Sequence, residues 1–267
     1  MSAAEALAPE QSVDEVRESL SVTEKGQPAN TIGNCRTVFC HDPLLRDAIR
    51  LNLLTDRVDI VRDLGWRRNT SALTDTDVKY LLLYFEQTYG LTSEKKMTAA
   101  LSIVANENCY HPIQDALNGL VWDGTPRIRS CLHHFLGADE SDYVEEMLKH
   151  FLLGAIRRVF RPGSKYEEML CLVGGQGAGK SSFFRLLAIR DEWFSDDLKK
   201  LDDDRVYLKL QGHWIIEMSE MLATSSAKSI EEIRSFISRQ KETYRTPYEA
   251  QPKDRLRQCV FGGSSNT

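Results

Sequence analysis

Residues 169–187 read MLCLVGGQGAGKSSFFRLL. The first five form a short continuous apolar run. The next eight, Gly174 to Ser181, match G-x-x-x-x-G-K-[ST], and Phe183, Phe184, Leu186 and Leu187 follow on one helical stripe. Strand, glycine-rich loop and helix in that order open an α/β unit. Glycines let a backbone curl so that successive N–H groups face one concavity, where phosphate oxygens fit. The helix that follows adds the positive end of its dipole. Lys180 supplies a full charge for the β and γ phosphates, and Ser181 offers a hydroxyl to Mg²⁺. The expected cradle is Gly174, Gly175, Gln176, Gly177, Ala178, Gly179, Lys180, Ser181 and Ser182, with ATP and Mg²⁺ as its ligands.

Downstream, residues 212–220 read GHWIIEMSE, a short apolar strand with acids at its end. Glu217 and Glu220 are the candidate metal ligands beside Ser181, and one of them is the candidate base for an attacking water. The two cannot project identically from one strand, so their roles stay open. Residues 257–266, RQCVFGGSSN, read as another buried strand with a polar tip. The amide of Asn266 can reach a γ-phosphate or the attacking water. Between them lies a basic and aromatic block with Arg239, Lys241, Tyr244 and Arg245. Its bases suit backbone phosphates, and Tyr244 or Tyr248 can stack on a base. A second basic run comprises Arg157, Arg158, Arg161 and Lys165.

Upstream the pattern is helical. Thr74-Asp75 caps a helix carrying Val78, Leu81, Leu82 and Phe85. Ser93 begins another with Met97, Ala100, Leu101 and Val104, and Pro112 sits near the start of a third. Ser141 caps a long helix that Arg161-Pro162-Gly163 stops. Thr37 to Cys40 reads as a short strand, and Asp42-Pro43 as the start of a helix with Leu44, Leu45, Ala48 and Ile49. Three regions are expected: a mostly disordered acidic tail over 1–34 with a short helix near Val13 to Leu20, a mainly helical region over 35–165, and the α/β core over 166–267. The tail holds six acids against two bases, so most of the chain's net charge of −5 sits there.

No apolar run reaches the roughly 18 residues of a membrane helix, and the N-terminus has no apolar signal segment. The six cysteines form no CxxC pair, which fits reduced thiols and a cytoplasmic location. Cys35, Cys40 and His41 lie close together, but no second ligand pair completes a zinc site.

Taken together, GGQGAGKSSFFRLLA, EWFSDDL, QGHWIIEMSEM, FISRQKETYRTPY and RQCVFGGSSN resemble the virulence-associated protein E family of prophages, plasmids and pathogenicity islands. Residues 108–130 look like that family's segment before the ATPase. The resemblance covers about 105–267 well and 35–104 loosely. It implies a P-loop NTPase core of the ASCE/AAA+ type with three layers, related to superfamily 3 helicases. Lys180 and Ser181 would carry nucleotide and metal, Glu217 and Glu220 would be the Walker B candidates, and Asn266 would be sensor 1. The block 239–248 lies where superfamily 3 helicases carry a DNA-contacting hairpin. The setting implied is replication of mobile elements, with DNA (single-stranded or forked), a homo-oligomer at full length and a primase or other replication protein as partners, and no membrane. Such proteins continue well past sensor 1, so the core is expected to be incomplete and β-strand 169–173 to lie at a sheet edge. Two rival readings are a regulatory P-loop ATPase without translocation and a degenerate nucleotide-binding interaction module.

Overall fold

The structure is a computed structural model that describes residues 11–198, 201, 206–219, 227–244 and 251–266. It divides into two compact units, the first ending at Pro112 and the second starting at Ile113.

The first unit holds α1 (Val13–Ser19), α2 (Ile32–His41), β1 (Ile49–Asn52), β2 (Arg57–Ile60), α3 (Asp75–Tyr89), α4 (Glu94–Glu107) and β3 (Cys109–Tyr110). It departs from the sequence expectation in four ways. The short helix expected near Val13 to Leu20 is α1, but the segment from 12 onward is ordered into the unit instead of forming part of a tail. Ser12 and Glu15 make a reciprocal cap on α1, which buries Val16, and Leu20 follows it into the core. Asn34 then fixes the next loop: its carbonyl accepts the Ser21 N–H at 2.9 Å, and its amide donates to the carbonyls of Ser21 and Ala29 at 2.8 Å. Thr37 to Cys40 is helical, because Thr31 caps α2 and Cys35, Val38 and Phe39 share its buried face. The helix expected after Asp42-Pro43 is a run of turns leading into β1, since the Asp42 carboxylate takes the N–H groups of Leu44 and Leu45 at 2.8 and 3.0 Å. The region is also less purely helical than its sequence suggests: β2, β1 and β3 form a sheet, with β1 antiparallel to β2 and parallel to β3. Thr74 caps α3 as expected, in a reciprocal pair with Asp77.

The second unit takes most of α5 (Pro112–Asn118), then α6 (Ile128–Leu136), α7 (Asp142–Phe160), β4 (Met169–Val173), α8 (Lys180–Leu187), β5 (Phe194–Ser195), β6 (Ile215–Ser219), α9 (Ala227–Ile237), β7 (Lys241–Tyr244), β8 (Lys253–Leu256) and β9 (Val260–Ser265). Four strands form a parallel sheet in the order β4-β9-β6-β5. β4 lies at one end of it, as expected. One sheet face packs α6, α7 and α8 through Leu132, Leu148 and Phe183 with Leu170 and Leu172 of β4. The other packs α9 through Ile233, Phe236 and Ile237 against Ile216, Met218 and Phe261. The architecture is mixed α/β with helices on both faces of a parallel sheet.

The expected boundary near 165 is therefore displaced to 112/113. The sequence changes character near 166 because secondary structure changes there from helix to strand. The helices before that point still belong to the unit that holds the sheet: Leu148 of α7 packs with Phe183 of α8, and Trp214, just before β6, donates its indole N–H to the Ala155 carbonyl of α7 at 3.0 Å.

Candidate functional site

In an open parallel sheet the loops after the carboxyl ends of the strands share one crevice. Here those ends are Val173, Ser219 and Ser265, held level by the pairings Val173↔Ser265 and Ser219↔Ser264. The glycine-rich loop leaves β4, and Gly174 donates its N–H to the Ser265 carbonyl at 3.3 Å. Gly177 and Gly179 take φ of +81° and +84°, a left-handed backbone that a side chain would strain. Gly179 is the N-cap of α8 and no side chain caps that helix, so its first-turn N–H groups face the loop without a side-chain partner.

Lys180 reaches back over the loop. Its ammonium donates to the carbonyls of Gly174 and Gly175 at 2.7 and 2.8 Å and to Asn266 Oδ1 at 3.2 Å. A cation and an amide from distant parts of the sequence thus meet at the mouth of the loop. Ser181 donates its hydroxyl to Glu217 Oε1 at 2.7 Å. Ser264 donates to the same oxygen at 2.5 Å. Glu217 is 1% exposed, and its other oxygen, Oε2, has no hydrogen-bond partner among the described residues.

Gly262 explains how α8 comes so close to the sheet. A Cβ there would lie 2.4 Å from the Phe184 ring, so only glycine lets Phe184 rest on β9 and bring Ser181 down to Glu217. The structure thereby joins Lys180, Ser181, Glu217 and Asn266 in one place. Gly174 to Gly179 form the loop itself, and Ser182 lies in the first turn of α8. Glu220 lies outside the described residues, so the pairing expected for it with Glu217 has no geometry to report. Ser264 was not singled out in the sequence. Its signal was available: along β9 the buried face includes position 264, and a buried hydroxyl beside a buried carboxylate needs a reason.

The basic block resolves differently. It forms an antiparallel hairpin, β7 with β8. Lys241 is ion-paired with Asp254, and Arg239 lies 3.6 Å from Glu242 with its guanidinium over the Phe236 ring. Both remain about half exposed, at 56% and 49% for their side chains. Tyr244 is buried, its ring stacked on Tyr207 at 4.1 Å and in contact with the Arg255 guanidinium. That packing covers the ring of Tyr244, one of the two candidates for stacking on a base. Arg245 and Tyr248 lie outside the described residues. The upstream basic run also divides: Arg158 is fully buried and donates to the carbonyls of Cys259, Tyr166 and Ser164, and burial pushes its guanidinium below the usual range. It ties α7 to the strand entrances and is not a surface charge.

Among the described residues no group of three or more His, Cys, Asp or Glu forms a metal cluster, and no helix is long and apolar enough to cross a membrane. Cys35 is buried in the first unit's core.

Residues 117–267 match the virulence-associated protein E-like domain. Among solved structures the chain is similar to the A form apo structure of the NrS-1 C-terminal region, with 16% identity and a TM-score of 0.46 over 82% of this chain and 53% of that one. It is also similar to the apo structure of NrS-1 residues 305–718, with 14% identity and a TM-score of 0.44 over 82% of this chain and 54% of that one. The chain thus spans about half the length of these solved structures. No curated protein matches. With more than half of its length in the match, the chain belongs to the virulence-associated protein E-like family.

Proposed function

We propose that this chain is an ATP-binding and ATP-hydrolysing replication protein of a mobile genetic element, a helicase-like motor or loader that acts on DNA. The observation that carries the reading is the convergence of Lys180, Ser181 and Asn266 on a loop of positive-φ glycines beside a buried carboxylate with one oxygen unpartnered among the described residues. Family membership supports the mobile-element setting.

The donors fit a hard divalent cation. Glu217 Oε2 is a buried oxygen with no partner among the described residues, and the Ser181 hydroxyl rests on the same carboxylate. Ser181 and Glu217 would hold Mg²⁺, which would neutralise charge on the phosphates. The loop N–H groups and the uncapped end of α8 would accept the phosphates. Lys180 now spends its charge on two loop carbonyls and would exchange them for phosphate oxygens, a stronger, charge-assisted contact. Asn266 sits where an amide can orient the terminal phosphate or a water, and Glu220 is the proposed base. Ser264 keeps the Glu217 carboxylate aimed while the Ser181 hydroxyl is free to turn.

A second reading is a regulatory ATPase without translocation. It is favoured by the hairpin, where Arg239 and Lys241 are ion-paired and Tyr244 is buried. ATP turnover measured with and without single-stranded DNA decides. Turnover stimulated by DNA and abolished in Lys180→Ala supports the motor or loader. Turnover indifferent to DNA supports the regulatory reading. No turnover by the wild-type chain, with nucleotide still bound, would leave only a nucleotide-binding module.

A further inference from the structure

The first unit precedes the family match at 117–267 and carries none of the residues of the candidate nucleotide site. On its surface two aromatic rings lie in a parallel stack. Trp66, on the loop between β2 and α3, packs against the unit's core and donates its indole N–H to Asp77 Oδ1 at 2.8 Å. The Tyr80 ring lies over Trp66, with centroids 5.2 Å apart and planes 15° from parallel. Tyr80 is nonetheless 45% exposed. One face of its ring covers the indole, and an offset stack of this kind can take another ring on the outer face. Leu83, one turn further along α3 on the same side, is 47% exposed and extends the apolar surface.

The loop is held rigidly. Arg68 donates to Asp77 Oδ1 and to the carbonyls of Ile60, Ser71 and Ala72, at 2.9 to 3.3 Å. Its neighbour Arg67 lies between two inward-facing side chains and is exposed. Arg62, earlier on the same loop, is exposed as well. Among the described residues neither Arg62 nor Arg67 is ion-paired, whereas the nearby carboxylates of Asp77 and Glu94 are held by Arg68 and Lys79. A parallel ring face beside an unneutralised guanidinium suits a base and its backbone phosphate. A duplex hides its base faces within its own stack, so the matching ligand is single-stranded.

We infer that Trp66, Tyr80 and Arg67 form a binding site for single-stranded nucleic acid, with a base stacked on the outer face of Tyr80 and a phosphate on Arg67. The charge of the loop and the parallel rings select this partner over a protein segment, which needs a pocket for its anchors.

The test is fluorescence anisotropy of the full chain with labelled oligothymidylate and oligouridylate of about 20 nucleotides, at several salt concentrations. The comparison tells whether DNA or RNA is the better ligand, and the losses below are expected on whichever binds more tightly. Tyr80→Ala should weaken binding about tenfold, and Tyr80→Phe, which keeps the ring, should stay within about twofold. Arg67→Ala, at an exposed loop position that leaves the stack intact, should weaken binding about threefold. It should also make the plot of log affinity against log salt shallower by about 0.7, the slope of one phosphate contact on a single strand. Wild-type affinity in both alanine variants, as expected if the stack receives a protein segment, overturns the site. So does a wild type that binds neither oligonucleotide. A Tyr80→Phe chain as weak as Tyr80→Ala overturns the stacking, and equal losses on a duplex overturn the single-strand assignment.

Discussion

Buried carboxylates are treated in opposite ways by the two units. In the first, Asp42 is fully buried and both its oxygens are filled: one takes two backbone N–H groups, the other the hydroxyls of Tyr84 and Tyr89 at 2.8 and 2.5 Å. Asp77 is 3% exposed and takes Trp66 and Arg68 on one oxygen and Thr74, twice, on the other. In the second, Glu217 is as deeply buried, yet two hydroxyls crowd one oxygen and the other has no partner among the described residues. An unsatisfied buried polar atom costs about 1–3 kcal/mol. A carboxylate that holds a fold together has every reason to be saturated. One kept open at the carboxyl edge of a parallel sheet, beside a lysine and a loop of glycines, is arranged for something that arrives later.

That contrast can be broken by substitution. The largest effect is expected for Glu217→Gln, which keeps the size of the side chain and removes its charge. ATP turnover should fall about 10²–10³-fold, the scale of losing one placed electrostatic group. The melting temperature should stay within a few degrees of wild type or rise. A large loss of stability would put Glu217 in the same class as Asp42. Asp42→Ala should do the reverse. It strands two tyrosine hydroxyls and two backbone donors, and should cost the first unit about 3 kcal/mol in urea unfolding. Ser264→Ala should come next. With Ser181 still holding Glu217, turnover should fall about tenfold and stability should change by less than about 1 kcal/mol.

The smallest effect is one of pH. Burial works to raise the Asp77 carboxyl, but its bonds from Trp66, Thr74 and Arg68 outweigh that and hold it below its ordinary value of 3.8. A carboxyl lowered on folding adds stability above its unfolded value and loses it as pH falls through the folded one. Melting of the first unit should therefore be flat near neutrality and decline only below the ordinary aspartate range. Asp77→Asn should remove part of that decline. A decline of unchanged size in Asp77→Asn would show that other carboxylates carry it.

The site was more legible in the sequence than the units that carry it. Glycines, a lysine and a hydroxyl at fixed spacing are demanded by local backbone geometry, so 174–181 could be read directly. The strands that carry Glu217 and lead to Asn266 followed from apolar runs, although β6 runs on through Ser219 and leaves Glu217 in its middle instead of at its end. The boundary was misplaced because periodicity reports the local element and not its packing partner: nothing in the α7 stripe says that Leu148 meets Phe183. The acidic start showed its short helix but, for a related reason, not that the helix docks. Its charge is real, but two apolar residues and a reciprocal cap suffice to dock α1. Tyr244 looked like a base-stacking residue because a sequence shows aromatic and basic neighbours and hides the Tyr207 ring that covers this one.

The central claim is that Lys180 and Glu217 wait for a metal-bound nucleotide. Its most direct test is titration of ATP into the wild-type chain, Lys180→Ala and Glu217→Gln, each with Mg²⁺ and with chelator. The account predicts saturable binding by the wild type that Mg²⁺ strengthens, binding about 10²-fold weaker in Lys180→Ala, and loss of the Mg²⁺ effect in Glu217→Gln. Equal binding by all three chains, or none by the wild type under either condition, would contradict it.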